Sequence, residues 1–199
     1  MIISIQREKL INPLKQMIGV SEKKQTMPIL GNILLRGEGD SLLLVASDLE
    51  VEVSITIPYK MEGSVDTTLP ARKFLDILKS LPGSDLVNIE VGEAKATIKS
   101  GRSKFTLATI PGSDFPYKEE VNEFKFKVSA VDLDNLIGQT GFSMATQDAR
   151  HFLNGMFLEV SKEKLTVVAT DGHRLSMSSA QTENPTDEPV SCIIPRKCI

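Results

Sequence analysis

The chain has 199 residues, 41% of them hydrophobic and 25% charged, enough for one large or two small soluble globular domains. A net charge of −3 argues against a protein that coats nucleic acid non-specifically, though it leaves room for a local basic surface on an acidic body. No apolar run approaches the roughly 18–20 residues of a membrane span, the first residues do not read as a signal peptide, and Cys192 and Cys198 are too few for a disulfide scaffold or a metal knuckle, so the expected compartment is the reducing cytoplasm.

Taken in order, Ile2–Gln6 alternates weakly and reads as a short strand. From Arg7 to Gly19 the period changes. Leu10, Leu14 and Met17 share a helical face, with Pro13 expected to kink the helix and Gly19 to stop it. Residues 21–27 read as a polar loop containing Lys23 and Lys24. Residues 32–36, 41–47 and 51–58 are apolar and β-branched and read as consecutive antiparallel strands, divided by Gly37-Glu38-Gly39-Asp40 and by a turn at Asp48. The order then repeats. Residues 65–69 read as a strand, Pro70 opens a helix over 71–81 with Phe74, Leu75 and Leu78 on one face, and 86–91, 94–99 and 104–110 read as strands. Pro111-Gly112-Ser113-Asp114-Phe115-Pro116 reads as a linker.

From Phe124 the pattern begins a third time. A strand is predicted over 124–128, a helix over 130–144 with Leu133, Leu136 and Ile137 on one face, a polar loop over 146–151, and strands over 154–160, 164–170 and 174–179. A polar connection over 181–189 leads to a strand over 191–195, and Arg196-Lys197-Cys198-Ile199 looks like the first turn of a helix.

These segments are copies. A shift of 123 residues (133 − 10) places Leu10 on Leu133, Leu14 on Ile137, Leu30 on Leu153, Leu42 on Leu165, Val45-Ala46 on Val168-Ala169 and Asp48 on Asp171. A small gap brings Leu69-Pro70-Ala71-Arg72-Lys73 onto Ile194-Pro195-Arg196-Lys197. The reading is α+β: a domain over 1–116 made of two strand–helix–three-strand halves, and a second domain over 124–199 whose last half is incomplete. The repeat predicts that these residues are part of a longer chain. Unfinished, the second domain would leave sheet edges and an apolar face uncovered, which invites association.

One turn carries concentrated chemistry. In Ala169-Thr170-Asp171-Gly172-His173-Arg174-Leu175 a carboxylate, an imidazole and a guanidinium lie close together after a strand. Read as catalysis, His173 would be a general base oriented by Asp171, as in a small hydrolase, but a nucleophile or metal would have to come from elsewhere. Read as structure, Asp171 is inherited, because Asp48 holds the same place in the first copy and would cap a turn with its carboxylate. Elsewhere Gly37-Glu38-Gly39 is a hairpin turn, no phosphate-binding glycine loop is present, and no cofactor or metal is expected.

Four segments carry a family resemblance: Leu69-Pro70-Ala71-Arg72-Lys73-Phe74, Ser100-Gly101-Arg102-Ser103-Lys104-Phe105, Phe152-Leu153-Asn154-Gly155-Met156 and Ala169 to Leu175. Together they closely resemble the bacterial DNA sliding clamp, the beta subunit of DNA polymerase III, across the whole chain in order. The resemblance implies the DNA-clamp fold, with helices toward the DNA and antiparallel sheets outside. It also implies three such domains per chain and a ring of two head-to-tail chains around duplex DNA. Such a ring is a non-catalytic processivity factor, loaded by a clamp loader, that tethers the polymerase and repair proteins through short linear peptides.

By that resemblance Leu153, Thr170, Gly172, His173, Arg174 and Leu175 line the peptide groove, whose other wall comes from the third domain. Leu153 and Leu175 can also be read as core residues. Lys24, Arg72, Gln147, His151 and Phe152 match DNA-touching positions, with His151 and Phe152 departing from the aromatic pair expected there. Arg196 and Lys197, at the start of the truncated helix, fall at the place Arg72 and Lys73 hold in the first copy, and such a rim could meet phosphates. All of these could instead be ordinary solvated charge. The strand over 104–110 would meet the partner chain as an edge through Phe105 and Leu107, or be a normal half-buried strand. A peptide-binding adaptor that does not bind DNA is a third reading.

Overall fold

The computed structural model describes residues 1–21, 27–82, 86–117, 126–182 and 188–199. Lys24, most of the predicted 21–27 loop, Phe124 and much of the 181–189 connection lie outside the described residues. The chain divides into two compact units, Met1–Glu119 and Glu120–Ile199.

The first unit contains β1 (Ile2–Gln6), α1 (Arg7–Met17), β2 (Asn32–Glu38), β3 (Ser41–Ser47) and β4 (Glu52–Pro58), then β5 (Ser64–Pro70), α2 (Ala71–Ser80), β6 (Leu86–Val91), β7 (Lys95–Ser100) and β8 (Ser103–Ala108). The two halves exchange their first strands. β5 pairs with β2 (Leu34 opposite Thr68), and β1 pairs with β6 (Ile3 opposite Ile89), so neither sheet is complete without the other half. α1 and α2 pack together, and their apolar faces, Leu10, Leu14 and Met17 with Phe74 and Leu78, are fully buried in one core. Pro13 does not divide α1, which runs through it to Met17. The backbone hydrogen bond lost there is offset by the buried face on either side, since helix stability in proteins comes mainly from packing.

The predicted 111–116 linker is instead anchored. β9 (Ile110–Pro111) adds to the edge of β5, and Phe115 is buried with Ile29, Leu30, Leu34 and Val45 in a second, smaller core. Leu34 faces that core while Ile33 and Leu35 face the main one, as strand alternation requires. Arg36 pairs with Asp66 at 3.0 Å and lies 5.6 Å from the centre of the Tyr117 ring. Gly112 closes this strap: a Cβ there would collide with the Asp66 carboxylate and come within 2.9 Å of its backbone. Gly112→Ala is therefore expected to destabilise the unit by about 1–3 kcal/mol, the usual cost of overpacking, read from the midpoint of urea unfolding.

The second unit contains α3 (Ala130–Thr140), β10 (Gly155–Val160), β11 (Lys164–Thr170), β12 (Leu175–Gln181) and β13 (Val190–Pro195), with sheet order β12-β11-β10-β13. β13 pairs with β10 as β5 does with β2, Ile193 lying opposite Phe157. Residues 126–128, expected in a strand, are not in one. The first-unit counterpart, β1, is held by β6 of the following half, and the second unit has no described strand in that place. α3 ends at Thr140, earlier than expected, where the Thr140 hydroxyl donates to the Leu136 carbonyl at 2.7 Å and a 3-10 turn, Gly141–Ser143, follows.

Burial differs between the copies. Leu10 and Leu14 are fully buried, whereas their counterparts Leu133 and Ile137 are only partly so. Thr68 is fully buried under β9, whereas Ile193, in the matching ladder position, is 47% exposed. Among the described residues, no helix is long and apolar enough to cross a membrane and no cluster of potential ligands could hold a metal.

Candidate functional site

The turn after β11 is a copy of the turn after β3, bond for bond. The Asp48 carboxylate accepts from the amides of Glu50 (3.0 Å) and Val51 (2.7 Å), and that of Asp171 from His173 and Arg174, both at 2.9 Å. The Ser47 hydroxyl accepts from the Leu49 amide at 3.1 Å, and the Thr170 hydroxyl from the Gly172 amide at the same distance. Leu49 has φ +74° and Gly172 φ +86°. The left-handed position is thus built into the fold, and the second copy fills it with the residue that adopts it without strain.

What differs is what the turn presents. The Arg174 guanidinium donates to Asp171 Oδ2 (3.1 Å) and to the Phe142 carbonyl (2.7 Å), and lies 5.7 Å from the centre of the Phe142 ring. Arg150 flanks Gly172, where a Cβ would be 3.0 Å from its Nη2. Arg150 is itself held by Asp148 through Nε at 3.0 Å and Nη2 at 2.9 Å. That side-chain bond, followed by the Arg150 amide, lowers the Asp148 carboxyl to about 2.

Of the predicted groove residues, Gly172, His173, Arg174 and Leu175 are exposed, Thr170 is half-buried and Leu153 is buried, so Leu153 supports the site from within. Phe142, Asp148 and Arg150 were not singled out by the sequence. Asp148-Ala149-Arg150 carries a local turn signal, but its approach to Gly172 is tertiary.

Both Asp171 oxygens are occupied by the turn's own amides and Arg174, which removes the basis for a catalytic orienter of His173. The amides of Arg174 and then His173 lower the Asp171 carboxyl from 3.8 to about 2. A depressed carboxyl stabilises the turn above its ordinary range and loses that contribution as pH falls through the folded value. Carboxyl titration by NMR is therefore expected to show a midpoint near 2 with the turn intact at pH 4. A midpoint near 3.8 would show that these bonds do not form in solution.

The basic positions are also placed. In the first unit Arg72 is exposed at the start of α2, and its Nη2 donates to the Ser21 carbonyl at 3.3 Å. In the second unit Gln147 is exposed at φ +58°, and His151 and Phe152 are exposed on a 3-10 turn, His151–Asn154. Arg196 and Lys197 are exposed on a terminal 3-10 turn, and Arg196 reaches back to the Met144 and Ala145 carbonyls at 3.3 and 3.4 Å. β8 ends the sheet β1-β6-β7-β8, but Leu107 is buried in the core and Phe105 half-buried against it. Lys104, Thr106 and Ala108 are exposed on that edge while Phe105 and Leu107 alternate inward, the pattern of a half-buried strand.

Family models match this chain in tandem: the N-terminal domain of the DNA polymerase III beta subunit over residues 1–119 and its central domain over 127–199. The beta sliding clamp of Pseudomonas aeruginosa is 46% identical over 198 residues, covering 98% of this chain and 54% of the relative. A crystal structure of that organism's DNA polymerase III subunit beta superposes with a TM-score of 0.91 at 45% identity, over 99% of this chain and 54% of the other. A second, of the clamp bound to griselimycin, superposes at 0.87 and 46% identity, over the same shares. The chain thus spans about half the length of the relatives it matches. On these matches and the duplicated fold, the chain belongs to the DNA polymerase III beta subunit family, the beta sliding clamps.

Proposed function

We propose that this chain is the leading part of a processivity clamp that encircles duplex DNA and tethers the replicative polymerase and repair proteins. In this reading residues 1–116 are the first clamp domain, and 124–199 the second with its last half incomplete. The complete protein is a non-catalytic head-to-tail homodimer acting in the cytoplasm. The tandem match of two consecutive family domains over nearly the whole chain carries the proposal. The exposed basic and polar positions Arg72, Gln147, His151, Arg196 and Lys197 suit phosphate contact without base reading, which a sliding ring needs. The partner chain meets the edge of β8 by strand pairing, with Lys104 and Thr106 facing outward.

Partner peptides dock on the turn at Gly172–Leu175; griselimycin, bound by the Pseudomonas aeruginosa relative, is the ligand chosen to test that site. The full-length protein, loaded on nicked circular DNA, is expected to stay bound through gel filtration and to be lost once the circle is linearised. Retention on linear DNA would mean that the linkage is not topological.

A further inference from the structure

We infer that Arg196 is a positioning residue for the groove, a strut that holds the loop carrying Arg150 and Leu153; the inference rests on the groove reading above. Residues 144–154 form a loop closed at its base, where the Ala145 amide donates to the Leu153 carbonyl at 3.0 Å. Inside it the Asn154 side chain accepts from the Asp148 amide and donates to the Asp148 carbonyl, both at 2.9 Å. The outset of the loop is held by Arg196, whose Nη1 lies 3.3 Å from the Met144 carbonyl, 3.4 Å from that of Ala145 and 3.3 Å from the Thr146 hydroxyl. The far side of the same loop places Arg150 against Gly172 and buries Leu153. A shift of the 144–146 corner therefore passes through the closed base to both groove residues.

The first unit contains the same strut, and its own turn lacks the residues of the groove. Arg72 donates to the Ser21 carbonyl, and Ser21 is the counterpart of Met144 at the repeat offset. Its turn carries Leu49 and Glu50 where the second carries Gly172 and His173. The strut is thus a property of the duplicated fold, and in the second unit it stands behind a binding surface. Holding the corner uses one guanidinium nitrogen, so the remaining donors of Arg196 can still meet a phosphate.

Arg72 supplies an internal control. In the full-length protein, Arg196→Met is expected to weaken griselimycin binding about fivefold, the scale of one lost hydrogen bond, and to speed hydrogen exchange at the Ala145 amide. Arg72→Met is expected to leave both unchanged. Unaltered affinity in Arg196→Met, or an equal fall in Arg72→Met, overturns the inference. If Arg196→Met does not fold, Arg196→Lys, which keeps the charge and loses the planar fork, is read in the same way. Wild-type protein that fails to bind griselimycin would overturn the groove reading itself, while Ala145 exchange in the variants would still decide whether the strut exists.

Discussion

Phe74→Ala is expected to lower the unfolding free energy of the first unit by about 3–5 kcal/mol. Phe74 is fully buried on α2, in the core shared with Leu10 and Leu14 of α1 and with strands of both sheets. Truncation removes its transfer energy and leaves a void between two helices, and rigid sheets on either side limit how far the void can close. Domains of this size are stable by only about 5–15 kcal/mol, so the loss is a large share of the total. Urea unfolding followed by far-UV circular dichroism measures it. A loss below about 1 kcal/mol would mean that the helices reclose over the gap, and that the two halves are less rigidly joined than their exchanged strands indicate.

Leu175→Ala is expected to leave folding stability within about 0.5 kcal/mol of wild type, because the side chain is 63% exposed. In the full-length protein the same change is expected to weaken griselimycin binding about tenfold or more, since burying a leucine side chain contributes roughly 1.5–3 kcal/mol. Calorimetric titration reads the affinity and thermal unfolding reads the stability. Loss of both together would show that Leu175 is a core residue after all. Loss of neither would move the groove away from this turn.

The elements of this fold are legible residue by residue, because the helical period shows directly in Leu10, Leu14 and Met17, and β2 to β4 are apolar, β-branched runs divided by turns. The repeat is legible for a related reason. The Asp48 and Asp171 turns make the same bonds, so the same residue types recur at a fixed offset. Three readings depended on partners that the local pattern does not contain. Residues 111–116 have linker composition, yet Gly112 and Phe115 are buried because the outer face of β2 and β3 needs cover. Residues 126–128 have strand character, and among the described residues no strand pairs with them. Leu107, read either as an edge contact or as part of a half-buried strand, turns into the core.

The sequence by itself determined the α+β class, the duplication, the family and the turn at Asp171, since each rests on local patterning or on specific motifs in order. Only the tertiary structure decided which faces those elements bury and which distant groups meet. It brings Arg150 against Gly172, stacks Arg174 on Phe142, and sends Arg196 back to the carbonyls of residues 144 and 145. These contacts join residues far apart along the chain, and chain spacing carries no record of them; they form only when the strands pair and the core closes.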